Sequence, residues 1–195
     1  MTDWKYRRIS DVGTLKALAH PLRLKLYRAL YLERAATASR LAHVVDEAVS
    51  LVSYHLRKLA EHGLIEEAEG RSEDARERWW RPASDGLSIY DEDFRDAPEK
   101  TAAHVAASRL LFEQRAELYR RHLDERAQWS PEWNAASCDS EYLTDLTAPE
   151  LAELTAELHA VLMKYQTQGR AAQAAGDTEG REHVALHVYG FPFRV

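Results

Sequence analysis

Apolar residues recur three and four positions apart through most of the chain, a spacing that predicts a largely helical protein. The clearest stripe lies in residues 47–62, EAVSLVSYHLRKLAEH, where Val49, Val52, Leu56 and Leu59 share one side. Ser50, Ser53, Tyr54, Arg57 and Lys58 project from the other. Asp46 is the expected cap of this helix, and Gly63 its end. Upstream, Val12, Leu15, Leu18 and Ala19 predict a helix over 12–19. Pro21 suits the first turn of a second helix, whose buried side is Leu22, Leu26 and Leu30 and which ends by residue 34. Thr37 is placed to cap a short third helix through Val44, with Leu41 turned inward.

Two helices joined by a tight turn, the second closed by glycine, make a helix-turn-helix; here the turn around Val45 and Asp46 lacks the glycine often found there. Residues 64–69 and 77–82 are short and extended in character, and the charged stretch GRSEDAR separates them. They predict a hairpin, and a helix-turn-helix followed by a hairpin is a winged helix. The expected fold is therefore mainly α with a small β-hairpin wing, an α+β arrangement over residues 1–90. Residues 91–195 are expected to form a helical dimerisation and effector region with short strands.

In that second half, residues 85–98 read as an acidic, irregular linker. A long helix is expected from 99 to about 126, with Val105, Phe112 and Tyr119 one heptad apart. Its apolar side must pack, either on the same helix of a second copy or on the next helix of its own chain. Residues 128–139 read as a loop holding Trp129, Trp133 and Cys138, and 141–146 as a brief strand. Thr147 with Glu150 three residues on is a capping box, opening a helix striped by Leu151, Leu154, Leu158, Val161, Leu162 and Tyr165. Residues 168–181 are Ala-, Gly- and Gln-rich and read as mobile; 183–195 alternate like a final strand that could pair with 141–146.

Charge sharpens the picture. The formal net charge of -6 hides a gradient: residues 1–90 hold fifteen Lys and Arg against thirteen Asp and Glu, whereas residues 91–195 hold eleven against nineteen. A mildly positive first half is compatible with specific DNA binding, because the local footprint meets the phosphates. The hydroxyls, phenol, guanidinium and ammonium on the polar side of 47–62 are the donors that meet base edges and phosphates. Arg71 and Arg76, near the tip of the wing, could reach the backbone or minor groove. No signal-peptide region and no run long enough to cross a bilayer is present, so a cytoplasmic protein is expected. The single cysteine excludes an intrachain disulfide and a cysteine-cluster metal site.

The runs LKALAHPLRLKLYRAL, from Leu15 to Leu30, and SYHLRKLAEHGLI, from Ser53 to Ile65, with a charged wing ending in WWRPA, resemble the ArsR-like winged helix-turn-helix transcriptional regulators, especially the long variety common in actinobacteria. The resemblance covers about residues 12–87. It implies a homodimeric repressor whose helix 47–62 enters successive major grooves of a palindromic operator. It places Ser50, Ser53, Tyr54, His55 and Arg57 at reading positions, although His55 lies near the buried edge of the helix and could be packed instead. Lys58, toward the helix end, is expected on a phosphate or in solvent.

Members that sense soft metals carry Cys-x-Cys in the third helix, and this chain has no cysteine there. His122 and Glu125 supply a His-x-x-Glu without a preceding Asp-x-His, so His122 reads as a helix-terminal histidine; neither a metal nor a cofactor is expected. No phosphate loop, nucleophile elbow or paired acid motif points to an enzyme. Phe112, Tyr119, Trp129 and Trp133 could line a pocket for a small organic ligand, or simply fill a junction between domains. From a different class, the acidic second half suits a winged-helix module that docks another protein and no longer reads DNA.

Overall fold

The computed structural model describes residues 6–68 and 78–194, and the chain divides into two compact units, residues 1–124 and 125–195. In the first, strand β1 (Tyr6–Ile9) leads to helices α1 (Val12–Ala19) and α2 (Pro21–Glu33), strand β2 (Ala36–Thr37), and helices α3 (Ala38–Val45) and α4 (Val49–Glu61). Strands β3 (Ile65–Glu67), β4 (Trp79–Pro82) and β5 (Gly86–Ile89) follow, then a 3-10 turn (Asp91–Phe94) and helix α5 (Pro98–Asp124). The fold is mainly α with a small β wing, as the periodicity predicts.

Local chemistry sets these boundaries. The Thr14 amide donates to the Asp11 carboxylate at 2.7 Å to open α1. Pro21 occupies the first turn of α2, where its missing N–H costs no hydrogen bond. The Thr37 hydroxyl accepts from the Arg40 amide to open α3. Gly63, at φ 61, ends α4 in the left-handed region that glycine enters without a Cβ penalty. Leu15, Leu26, Leu30, Leu41, Val52, Leu56, Leu59, Leu64 and Ile65 are fully buried and form one core under all four helices.

The wing hairpin forms as expected: β3 pairs antiparallel with β4, in register Ile65 to Pro82 and Glu67 to Trp80. Its predicted tip, with Arg71 and Arg76, lies outside the described residues. β4 also pairs with β2, setting Ala36 against the buried Trp80, so the wing is tied to the helical body by a third strand.

Two expectations for this unit need correction. Asp46 does not cap α4; it sits left-handed at the end of α3, and α4 starts from Ala48 with no side-chain cap. Residues 86–94 are not a loose linker, because β5 runs parallel to β1 and Phe94 is fully buried. Arg8 fastens this segment, donating to Asp93 at 2.6 Å and to Glu92 at 2.5 Å. The first unit extends to residue 124, with α5 packed on α1 and burying Ala107 and Leu111.

The second unit contains a 3-10 turn (Arg126–Gln128), helix α6 (Pro131–Ala136) and helix α7 (Ala148–Ala174). Residues expected as a tryptophan-bearing loop thus fold partly into α6, whose start the Ser130 hydroxyl caps by accepting from the Trp133 amide. The Thr147–Glu150 capping box is complete, and α7 runs on to Ala174 through residues expected to be mobile. Residues 141–146 and 183–194 form no strand and do not pair with one another. Alternation there supplied the side chains of a strand, but among the described residues no strand stands beside it to form a sheet. No residue of α7 is buried. No helix among the described residues is long and apolar enough to cross a membrane.

Candidate nucleic-acid interface

α3 and α4 meet through residues 46–48. The Lys25 ammonium of α2 donates to the Val45 carbonyl at 2.8 Å, holding the end of α3. The Glu47 amide then donates to the Ala42 carbonyl at 3.1 Å. The chain turns at Asp46, and α4 leaves with Val52, Leu56 and Leu59 seated in the core.

What remains outward is the candidate site. Ser50 and Arg57 are exposed, Tyr54 is 48% exposed, and Ser53 is half-buried at the edge. Among the described residues no ion pair engages the Arg57 guanidinium, so it keeps its fork of donors free for a planar acceptor. Lys58 is tied down: its ammonium donates to Glu61 at 2.7 Å and lies 5.8 Å from the centre of the Tyr54 ring. That pair is solvent-exposed, and an exposed ion pair holds its partners weakly.

His55, expected among the reading residues, points the other way. It is 7% exposed and packs against His20 at the start of α2, ring centres 4.7 Å apart. The position falls between Val52 and Leu59 on the helical period, so the core claims it. Burial first, then the neighbouring His20 and Arg23, hold its imidazole below the usual histidine range.

The structure adds two residues. Val49 and Leu51 are exposed on the first turn of α4, although the apolar stripe placed Val49 inside. Apolar groups at that place suit contact with a thymine methyl. Val49 also borders a shallow concavity with Ser39, His43, Asp46 and Glu47 between the two helices.

At the base of the wing, Arg78 pairs with Glu67 at 3.1 Å and Arg81 with Glu66 at 2.8 Å. These cross-strand pairs neutralise the hairpin near the body. A second concavity, lined by Arg57, Glu61, Gly63, Arg78 and Trp80, lies between α4 and this hairpin.

Residues 18–68 match the family model described as a helix-turn-helix domain. The matched stretch runs from the end of α1 to β3, and its helix-turn-helix is the α3–α4 pair with α4 second. No curated protein matches the chain. Among solved structures, a disulfide-formed AbfR is 13% identical, with 60% of this chain and 81% of that one covered at a TM-score of 0.30. A ZitR mutant from Lactococcus lactis in apo form is 17% identical over 78% of this chain and 90% of that one, again at 0.30. Superpositions this loose bear on neither ligand nor partner.

The aromatic residues considered for a ligand pocket fall in both units. In the first, Phe112 and Tyr119 are exposed on α5, with Tyr119 stacked near His122 at 6.2 Å. In the second, Trp129 and Trp133 are half-buried beside Asn134, whose side-chain amide donates to the Trp129 carbonyl at 3.0 Å.

Proposed function

We propose that the protein is a sequence-specific double-stranded DNA-binding transcription regulator, a homodimeric repressor of the ArsR-like type that reads a palindromic operator through α4. The observation that carries this reading is the outward face of α4, where Ser50, Tyr54 and Arg57 stand exposed on the second helix of a helix-turn-helix whose other side is locked in the core. A helix so held presents hydrogen-bond donors at fixed spacing, which is what major-groove recognition needs.

Dimerisation is supported by α5 of the first unit. Val105, Phe112 and Tyr119 lie one heptad apart and all three are exposed, while the helix spends Ala107 and Leu111 on its own chain. An exposed heptad stripe beside a buried one fits a helix that serves its own core on one side and a second copy on the other. Two-fold pairing would place two α4 helices for successive major grooves.

Selection of duplexes from a random library by the purified full-length protein, at two salt concentrations, tests the reading. A recovered palindrome with half-sites about one helical turn apart, bound more weakly at high salt, is the expected result. No enrichment by folded, dimeric protein at either salt would turn the assignment toward the protein-docking alternative.

A further inference from the structure

We propose that His20 and His55 form a proton-operated latch that seats α4 on α2 when both imidazoles are neutral and loosens it when they are charged. The two rings are 4.7 Å apart and tilted by 39°, one from the residue that opens α2 and the other from the middle of α4. Nδ1 of each is buried without a hydrogen-bond partner. Neutral, the pair is an aromatic contact between two helices; charged, it is two cations in contact with little water between them.

The surrounding charges favour the neutral form. Arg23 of α2 opposes protonation of both rings, and its guanidinium is held close by donating to the Lys16 carbonyl of α1 at 3.3 Å. Glu47, from the turn before α4, acts the other way on His55. Burial is the largest influence on each ring and acts in the same direction as Arg23. Since both groups titrate lower when folded than when free, the seating they contribute is complete above the ordinary histidine value of about 6.5 and lost as pH falls through the folded one.

The latch lies directly behind the reading face. The Tyr54 ring meets the His55 ring edge-on at 5.1 Å, so a displaced His55 moves a side chain on that face. The seating of α4 is independent of what α4 reads, and only the effect on DNA rests on the function proposed above.

Hydrogen–deuterium exchange of the full-length protein at about pH 7.5 and about pH 5.5, corrected for intrinsic exchange, tests the latch across the histidine range. Residues 49–61 should lose protection at the lower pH by several-fold. His20→Gln should remove most of that response, and His55→Gln serves as the second variant. The ring Cε1 signals, followed by NMR in the unmutated protein, should titrate below the ordinary histidine value. Equal pH responses in the unmutated protein and His20→Gln, or a His55 signal titrating at the ordinary value, would overturn the proposal. The NMR arm decides the matter even if a variant misfolds. A duplex recovered by selection, tested at the same two pH values, separates the readings: a working latch with no bound duplex removes the DNA assignment and leaves the latch.

Discussion

The backbone amide of Asp46 donates to the carbonyl of Ala42 from the left-handed region, at φ 56 and ψ 56. This is the position where a helix-turn-helix often carries glycine, and Asp is one of the few other residues that enter it readily. Substituting Asp46→Gly should change stability by less than about 1 kcal/mol, the relief of Cβ strain being offset by a freer unfolded chain. Asp46→Val should destabilise by about 1–2 kcal/mol, since a β-branched residue resists that conformation. Urea unfolding monitored by tryptophan fluorescence measures both, and equal stabilities for the two variants would contradict the assigned turn.

Arg57 is exposed and bears no structural ion pair among the described residues, so its removal separates binding from folding. Arg57→Ala should lower affinity for a selected duplex by about 1–3 kcal/mol, the value of one good base contact. The melting temperature should stay essentially unchanged, because such surface substitutions alter stability by about 0.5 kcal/mol or less. Fluorescence anisotropy with a labelled duplex and a thermal melt report the two quantities. Undiminished affinity would take Arg57 off the reading face.

The helical part of the first unit was legible in the sequence because its signals are local. Pro21, Thr37 and Gly63 mark boundaries within a turn of where they act, and Val52, Leu56 and Leu59 announce a buried face by spacing alone. Residues 86–94 were not legible, because what orders them is remote. Tyr6 to Ile9 supplies the strand partner, and Arg8 reaches across more than eighty positions to Asp93. On α4, period sets Tyr54 and Arg57 outward, as they stand, whereas the resemblance sets His55 among the outward residues and the apolar stripe sets Val49 inside, and neither of these two stands so. The first is drawn inward by His20, thirty-five positions upstream, and the second borders the open concavity between α3 and α4.

Phe94 anchors that remotely ordered segment. It is fully buried, stacks on His104 of α5 at 4.8 Å, and its carbonyl accepts from the Thr101 hydroxyl at 2.8 Å. Phe94→Ala should cost about 3–5 kcal/mol, as removal of a buried aromatic ring does. Proteolysis should then open the chain between β5 and α5 before it cuts α4. A loss under about 1 kcal/mol would mean that the segment carries little of the core's stability.

The exposed stripe on α5 gives the dimer a direct test. Phe112 is 53% exposed in the single chain, a large apolar area for a surface helix. Phe112→Glu should leave the fold of the first unit intact and shift the protein from dimer to monomer in sedimentation equilibrium, because a carboxylate at a packed heptad position loses its water without gaining a partner. Affinity for a palindromic duplex should fall with it, while binding to a single half-site persists. An unmutated protein that sediments as a monomer at every concentration would refute the proposed dimer itself.

The Glu150 carboxylate accepts from both the Thr147 amide and the Thr147 hydroxyl, each at 2.7 Å, and the Thr147 hydroxyl in turn accepts from the Glu150 amide. These bonds favour the charged carboxylate and hold it below its ordinary value of 4.5. A group whose value is depressed on folding stabilises the folded form fully above the unfolded value, and that stabilisation disappears as pH falls through the folded one. The first turn of α7 should therefore lose exchange protection as pH drops below about 4.5, while Glu150→Gln removes this dependence. Thr147→Ala should weaken the helix start by about 1 kcal/mol at neutral pH, since it deletes the side chain that caps the amide. The cap matters there because α7 buries no residue fully, and a helix with little buried area depends on its ends. If the first turn of α7 exchanges alike in the Thr147→Ala, Glu150→Gln and unmutated proteins, that support comes instead from packing such as that of Leu151 against Gly190.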